Sequence, residues 1–439
     1  MLTLRMLALL VAAIGSMPFL LYILGKIKDP FHPLVLLGAM GATMAARKLL
    51  FNPDPALSYV RLDSLQEYLA ISAFSMLALY YGWHLHQKKH AHKPLLALPP
   101  KMFYGAEYDV GKMLPIGAAW AVIALGVYIL TYHRFTESGY LRDLWYLRIP
   151  AVILLLQAIL IDRSIVALAT FFILVGIAPD LNHIRNYGGR GSTAMLFDLA
   201  MVPYFFLGRR PRKSRFLLVF FLAGIALLAL AGSRTVLGTG QAHNRISAIY
   251  VAAKQMILRD SKTTHIYSPG RSFVVGAAEI QLANDQDNWD NGGIFWNFGV
   301  LLLPHELFPQ KSLYYTYWGE HNAVKHIQHG VYARIPLGVA PTGFASVFIE
   351  FHWLFPMPWL LLGYWLAWLY RRAVLERRLS SQAVLVTANI ICLYLVAQDC
   401  FASLWIALLT TLPTYVAYKY CRLREIPRTA PNINRSRAS

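Results

Sequence analysis

The chain has 439 residues, of which 57% are hydrophobic and only 14% are charged. Soluble globular proteins carry about 25% charged residues, so this composition excludes an ordinary soluble fold. Apolar runs of about 17–25 residues recur along the chain, each long enough to cross about 30 Å of hydrocarbon as a helix. The sequence therefore predicts an all-α polytopic membrane protein.

The net charge of +19 does not indicate nucleic-acid binding, because the basic residues cluster at the ends of predicted spans. The clusters are Lys88–Lys89, Arg209–Arg215, Arg371–Arg378 and the tail from Lys419 to Arg437. This is the positive-inside pattern of cytoplasmic loops. The first apolar run lacks a cleavage site and is predicted to be a retained span. The three cysteines lie in or beside late spans and predict no disulfide framework.

Hydrophobic periodicity predicts eleven spans, with ten and twelve as the alternatives. They cover 5–25, 31–50, 66–86, 112–132, 148–162, 163–180, 194–208, 215–233, 342–370, 382–399 and 401–419. Asp162 and Arg163 indicate that 148–180 is two short spans joined by a cytoplasmic turn. Eleven spans place the N-terminus outside and the C-terminus inside; a twelfth crossing would return the N-terminus to the cytoplasm.

One long polar segment separates the eighth and ninth spans. The basic clusters on either side of it predict that 234–341 faces the periplasm. The predicted organisation is an N-terminal transmembrane bundle of about eight spans (1–233), a large periplasmic loop (234–341), C-terminal transmembrane helices (342–419) and a basic cytoplasmic tail (420–439). Helices are predicted within the loop at 244–259 and 274–284. The apolar run 294–303 is too short to span and is predicted to be re-entrant or buried.

Basic residues on an outer loop run against the positive-inside rule. Arg234, Arg271 and Arg334 are three such residues. A guanidinium group binds phosphate oxygens in a bidentate fork, and a lipid-linked diphosphate would lie at headgroup depth. The alternative is that these arginines contact ordinary phospholipid headgroups or pair with acidic residues of the loop.

A second group of reactive side chains lies between Pro304 and Pro309. His305 and Glu306 are followed by Lys311, and a histidine near neutral pH can act as a general base. Aromatic side chains suited to stacking on sugar rings come next, at Tyr314, Tyr315, Tyr317 and Trp318. The alternative is an interfacial aromatic belt with His305 as a structural residue.

A third group lies at the start of the ninth span. Glu350 and His352 fall inside the span or at its edge. Ionisable groups are costly in a membrane, which makes both residues functional candidates. If the segment is helical, Ser346 and Glu350 share a face; alternatively, the helix starts later and both lie among the headgroups. The sequence contains no Walker A motif, no dinucleotide fingerprint and no zinc-ligand spacing.

Three elements in this order resemble the Wzy-type O-antigen or oligosaccharide repeat-unit polymerases. They are Gly232-Ser233-Arg234 at a span end, Leu303–Lys311 in the loop, and Ala340-Pro341-Thr342 leading into Phe348-Ile349-Glu350-Phe351. The chain departs from the family pattern at His305, where the family often has arginine, and at Ala345-Ser346, where it often has Gly-Glu. An acidic role, if it is retained, would therefore fall to Glu350.

The resemblance implies a GT-C-like, inverting, metal-independent glycosyltransferase of the bacterial inner membrane that needs no cofactor. Such an enzyme moves a glycan from undecaprenyl diphosphate onto another lipid-linked repeat unit and so builds an O-antigen, exopolysaccharide or capsule. The expected partners are the undecaprenyl-diphosphate-linked oligosaccharide and membrane lipid, with a chain-length regulator and a flippase as further candidates and no nucleic acid.

The predicted site residues fall into three roles. The catalytic candidates are His305, Glu306 and Glu350; the diphosphate-binding candidates are Arg234, Arg245, Arg271, Arg334 and Lys311; the sugar-binding candidates are Tyr314, Tyr315, Trp318 and His321. Two other functions stay open on the sequence alone. One is an O-antigen ligase that transfers glycan to lipid A-core, and the other is a non-enzymatic flippase or assembly protein for lipid-linked oligosaccharides.

Overall fold

A computed structural model describes residues 2–50, 60–90, 107–132, 144–187, 199, 201–207, 247–251, 271–286, 342–397 and 400–423. Within these ranges the chain is helical apart from turns and one isolated bridge, between Tyr108 and Arg422. The helices are α1 (Leu2–Ile23), α2 (Pro33–Leu50), α3 (Leu62–His90), α4 (Val110–Tyr132), α5 (Arg148–Ile161), α6 (Val166–Tyr187), α7 (Met201–Leu207), α8 (Arg271–Gln286), α9 (Gly343–Phe351), α10 (Pro356–Tyr370), α11 (Leu379–Ala397) and α12 (Cys400–Cys421).

Several of these helices could cross a membrane by length and composition. Among the described residues there are five, Thr3–Ile23, Val110–Thr131, Leu144–Ile161, Arg163–Asn182 and Leu379–Val396, or six if the bent pair of α9 and α10 is one span. Large apolar side chains on outward faces, such as Leu9, Leu20 and Phe171, are exposed, as expected for contact with lipid. The predicted all-helical fold is confirmed for the described residues, and several of its helices are long and apolar enough to cross a membrane. The count of eleven stays a prediction, and 215–233 lies outside the described residues.

The stretch 148–180 is divided where the sequence predicts. Helix α5 ends at Ile161, Asp162 is extended, and a short 3₁₀ turn leads into α6. The Asp162 carboxylate accepts a hydrogen bond from the backbone N–H of Ser164 at 2.9 Å. This N–H holds the pKa of Asp162 below its ordinary value. The aspartate therefore caps the new helix and ends the old one.

Three further predictions have different outcomes. The span predicted over 342–370 is interrupted, because α9 and α10 meet at 111° across the turn His352–Leu354; the pair is either one broken span or a re-entrant loop. The helix predicted at 274–284 is confirmed and extends over Arg271–Gln286. Of the helix predicted at 244–259, residues 247–251 are described and are helical.

Helices α3 and α10 run side by side in the same direction and touch through their backbones. Gly82 lies against the carbonyl oxygen of Leu360, and Gly363 lies against that of Leu79, so closely that neither position has room for a Cβ atom. Close backbone approach at small residues is the usual way for helices to associate in a membrane. The crossing fixes how α10 is placed along α3.

Both helices end in basic residues. Arg371 donates from Nη1 to the carbonyl oxygen of His90 at 3.3 Å, so the last turns of α3 and α10 lie together. We call this the basic end; it also carries Lys88 and Lys89. Tyr370 donates its hydroxyl to Asp29 Oδ2 at 2.7 Å, which attaches the turn between α1 and α2 to the same end.

A buried ion pair connects α5 with α6. Arg148 donates to Asp180 from Nε at 2.7 Å and from Nη2 at 3.2 Å, and both side chains are almost fully buried. The guanidinium carbon also lies 3.9 Å from the centre of the Trp145 indole ring. A bidentate pair of this kind compensates two charges that would each be costly to bury alone. The pair is thus a structural contact between the two helices.

Helix α8 lies inside the bundle, although it belongs to the polar segment 234–341. It packs against α2, α3 and α9. Its residues Phe273, Val274, Val275, Ala277 and Ile280 are buried. This part of the segment is therefore packed into the helical core. The predicted domain boundaries at 233/234 and 341/342 stay predictions.

The α3–α10 crossing predicts different effects for two glycine substitutions. Gly82→Ala places a Cβ atom against the Leu360 carbonyl and should destabilise the protein by about 1–3 kcal/mol through overpacking. Gly126→Ala is the matched control, because a Cβ atom at Gly126 meets no other atom within 4 Å. Thermal unfolding of both variants in detergent measures the difference. Equal melting temperatures would contradict the crossing.

Candidate functional site

The candidate site begins with α9, a nine-residue helix that holds a buried carboxyl group. Gly343 opens the helix in contact with the backbone carbonyl of Leu395 on α11, where a Cβ atom would not fit. Glu350 is 0% exposed. Since burying a carboxyl group in a membrane protein is costly, such a residue is a functional candidate. The helix begins at Gly343, so the alternative of a later start is wrong, and the depth of Glu350 in the membrane stays a prediction.

Ser346 shares the α9 face of Glu350 but has a structural task. Its Oγ accepts a hydrogen bond from the backbone N–H of Cys400 at 3.0 Å. Cys400 is the first residue of α12, whose initial N–H groups have no partner within the helix. Ser346 therefore caps α12. The reactive group on this face is Glu350.

His352 adopts a backbone conformation that normally requires glycine. Its φ of 47° and ψ of −126° lie close to the first central position of a type II′ turn. A residue with a side chain is strained there by about 1–3 kcal/mol, and strain of this kind concentrates at functional sites. The imidazole ring lies between aromatic neighbours, with ring centres 5.9 Å from Phe348 and 5.3 Å from Trp353. The turn thus presents a half-buried histidine directly after the helix that carries Glu350.

A carboxylate in the second turn of α3 lies at the same end of the bundle as this histidine. Glu67 is half-buried and interacts electrostatically with His352. It also accepts a hydrogen bond at Oε2 from Asn284 Nδ2, at 2.7 Å. Since Asn284 lies near the end of α8, this hydrogen bond connects α3 with α8. We call this region, defined by Arg61, Glu67, Asn284 and His352, the hinge end of the bundle.

Two outer contacts attach the end of α8 to the start of α3. The Arg61 guanidinium lies 2.7 Å from Asp285 Oδ1, and the Arg61 backbone N–H donates to Gln281 Oε1 at 2.9 Å. The ion pair is exposed and so adds little stability. The ion pair holds Asp285 near the start of α3, and the neighbouring Asn284 lies beside Glu67.

The base of the hinge end is closed by a buried hydroxyl pair. Tyr68 and Thr342 share a hydrogen bond of 2.6 Å, which joins α3 to the first residue before α9. Gly276 of α8 lies against both residues, and a Cβ atom there would come within 2.8 Å of the Tyr68 ring. Three helices therefore meet beneath the group formed by Glu67 and His352.

Most of the residues that the sequence predicts for the site lie outside the described residues. These are His305, Glu306, Arg234, Arg245, Arg334, Lys311, Tyr314, Tyr315, Trp318 and His321. Arg271 is the first residue of α8. Glu350 is the predicted catalytic residue whose surroundings are described, and it lies on the helix that leads to the hinge end.

Glu67 was not predicted as a site residue. A signal for it is present in the sequence, since Asp63 and Glu67 stand four residues apart before the apolar middle of the helix and so share one face. No group of three or more histidine, cysteine or acidic residues with metal-binding geometry occurs among the described residues. Metal independence stays a prediction. No protein-family model, no curated protein and no solved structure matches the chain.

The hydroxyl pair provides a test of this arrangement. Tyr68→Phe and Thr342→Val each remove one partner of a buried hydrogen bond and should cost about 1–3 kcal/mol. The double variant should cost less than the sum of the two, with a coupling energy of about 0.5–1.5 kcal/mol. Unfolding of the four proteins in detergent measures the coupling. A value of zero would mean that α3 and α9 do not meet at this bond.

Proposed function

We propose that the protein is a membrane glycosyltransferase that polymerises oligosaccharide repeat units linked to undecaprenyl diphosphate. The reaction takes place at the hinge end, on the periplasmic side of a bacterial inner membrane, and builds a surface polysaccharide. The proposal includes eleven spans, with the N-terminus outside and the C-terminus in the cytoplasm. It combines the three sequence elements that resemble the Wzy-type polymerases with the grouping of ionisable side chains at one end of the bundle.

The observation that carries the proposal is the buried carboxyl group of Glu350, directly before a strained turn. Glycosyl transfer passes through a transition state with positive charge on the donor sugar. A fixed carboxylate in a water-excluded site can stabilise that charge strongly. Glu350 could also be considered as the base that activates the acceptor hydroxyl. Its complete burial favours the electrostatic role instead.

In the proposed reaction, an acceptor hydroxyl oxygen bonds to the anomeric carbon of the donor. The bond from that carbon to the diphosphate breaks, and the diphosphate keeps the electron pair. Arg234, Arg271 and Arg334 would stabilise the charge that develops on the diphosphate oxygens, as the resemblance implies. The acceptor proton needs a base, and the sequence offers His305 for this role.

The distribution of charge supports the proposed orientation. Lys88, Lys89, Arg371 and Arg372 gather at the basic end, which the positive-inside rule assigns to the cytoplasm. The hinge end, at the other ends of α3 and α10, then faces the periplasm. That is the side on which an exported lipid-linked repeat unit would be available.

Cysteine labelling tests the orientation without a special background strain, because Cys392, Cys400 and Cys421 are all buried. Asp63→Cys, at a side chain 71% exposed, should react with a membrane-impermeant maleimide in intact spheroplasts. Glu107→Cys, at a side chain 56% exposed near the basic end, should react only after permeabilisation. The reverse pattern would place the hinge end in the cytoplasm and exclude the proposed reaction.

Glu350→Gln tests the reaction itself. The amide keeps the size of the side chain but removes its charge, so chain formation should fall about 10²-fold or more. Purified protein in proteoliposomes, supplied with lipid-linked repeat units from a deletion strain, should give a ladder of chains that the variant lacks. Glu376→Gln, at the basic end beside Arg378, is the control and should keep the ladder.

Two outcomes would favour other functions. If wild-type protein forms no ladder but transfers preformed glycan to lipid A-core, the ligase alternative is correct. If it transfers nothing and Glu350→Gln has no effect in cells, a flippase or assembly role replaces the enzymatic one.

A further inference from the structure

An apolar stripe runs along the outward face of α10 and ends in an arginine. Four exposed side chains follow one another at intervals of three or four residues and so share this face. They are Met357, Leu361, Trp365 and Trp368. The opposite face of the helix, with Gly363, packs against α3. The next position of the stripe is Arg372, so a long apolar surface carries a cation at its end.

Arg372 is held at this position by the last ring of the stripe. Its guanidinium carbon lies 4.7 Å from the centre of the Trp368 ring, and the arginine is half-buried. A cation over an indole ring is attracted by the π electrons of the ring. Arg372 also belongs to the π-helical turn Arg371–Leu375, and turns of this type occur frequently at functional sites. The contact keeps the guanidinium group close to the apolar stripe.

The arginines on either side of Arg372 have a carboxylate partner, whereas Arg372 has none in the part of the chain that the structure describes. Arg378 Nε lies 2.9 Å from Glu376 Oε2, and Arg371 Nε lies 3.6 Å from Glu376 Oε1. One acidic side chain therefore engages both neighbours. The N–H groups of Arg372 remain for an anion that comes from outside the protein.

We propose that Arg372 and the apolar stripe bind an anionic phospholipid of the bilayer. The guanidinium group donates two N–H groups to the phosphate oxygens, and the acyl chains lie along the stripe towards Met357. The other basic residues of the basic end favour a headgroup with net negative charge. A soluble phosphate would leave the apolar stripe uncovered. The site is at the opposite end of α10 from the hinge end and does not require the proposed reaction.

Native mass spectrometry of the detergent-purified protein, titrated with phosphatidylglycerol, measures this binding. The wild type should bind phosphatidylglycerol about tenfold more tightly than phosphatidylcholine, because the choline ammonium cancels the charge of the phosphate. Arg372→Gln should weaken the binding of phosphatidylglycerol about tenfold or more, since it removes hydrogen bonds to a charged group. Arg372→Lys keeps the charge but loses the fork, so its affinity should fall between the two.

Trp368→Leu tests the ring separately. The substitution keeps the stripe apolar but removes the indole beneath the guanidinium group. The affinity for phosphatidylglycerol should fall about two- to fivefold, the usual contribution of a cation–π contact at an exposed site.

Arg422→Gln is the matched control. It removes the same charge near the basic end, from an exposed arginine that lies 3.7 Å from Glu107 Oε2. Its affinity for phosphatidylglycerol should equal that of the wild type. A loss as large as that of Arg372→Gln, or equal affinity of the wild type for the two lipids, overturns the inference.

Glycerol 1-phosphate separates a lipid site from a site for free phosphate. This compound carries the phosphate of the headgroup without acyl chains, so an excess of it should not displace phosphatidylglycerol from the wild type. Displacement would assign the site to a soluble phosphate and overturn the proposal of a lipid.

Discussion

The arrangement of the molecule depends on direct contact between the backbones of α3 and α10. Gly82 and Gly363 allow each helix to touch a carbonyl oxygen of the other, so neither helix can slide along its partner without a clash. Lipid gives little hydrophobic drive for helix association, and close packing of this kind replaces it. Because α10 begins just after the turn His352–Leu354, the crossing also sets the position of His352 relative to the first turns of α3.

The position of α10 along α3 brings together, at the hinge end, groups whose burial or backbone conformation costs free energy. A bend of 111° after α9 leaves a turn instead of a continuous helix, and Trp353 and Leu354 of this turn are exposed. The free energy of the strained His352 conformation has to be offset by the packing around it, and the contacts with Phe348 and Trp353 supply part of that packing. The Tyr68–Thr342 bond and the close approach of Gly276 hold α3, α8 and α9 together beneath the turn.

The sequence predicts helix positions well because long apolar runs leave the chain few alternatives in lipid. It also locates the break at Asp162, where a charged pair interrupts an apolar stretch. The break at His352 has a signal in Pro356 and Pro358, because proline is favoured at the start of a helix and interrupts one elsewhere, but no glycine marks the turn itself. The Tyr68–Thr342 hydrogen bond joins residues 274 positions apart, which no local pattern reveals. Burial of α8 was missed for a related reason, because its flanking polar residues suggested a surface loop.

Two groups of charged residues in this bundle illustrate how structural and functional charges differ. Arg148 and Asp180 satisfy each other through two hydrogen bonds and a ring contact, so their charges are compensated inside the fold. At the hinge end, the ionisable side chains come from separate elements and are partly exposed. One of them, His352, has a backbone conformation that costs free energy. A fold gains no stability from placing histidine where glycine is unstrained. The cost of the conformation at position 352 is therefore offset by the packing around the turn and not by the residue itself.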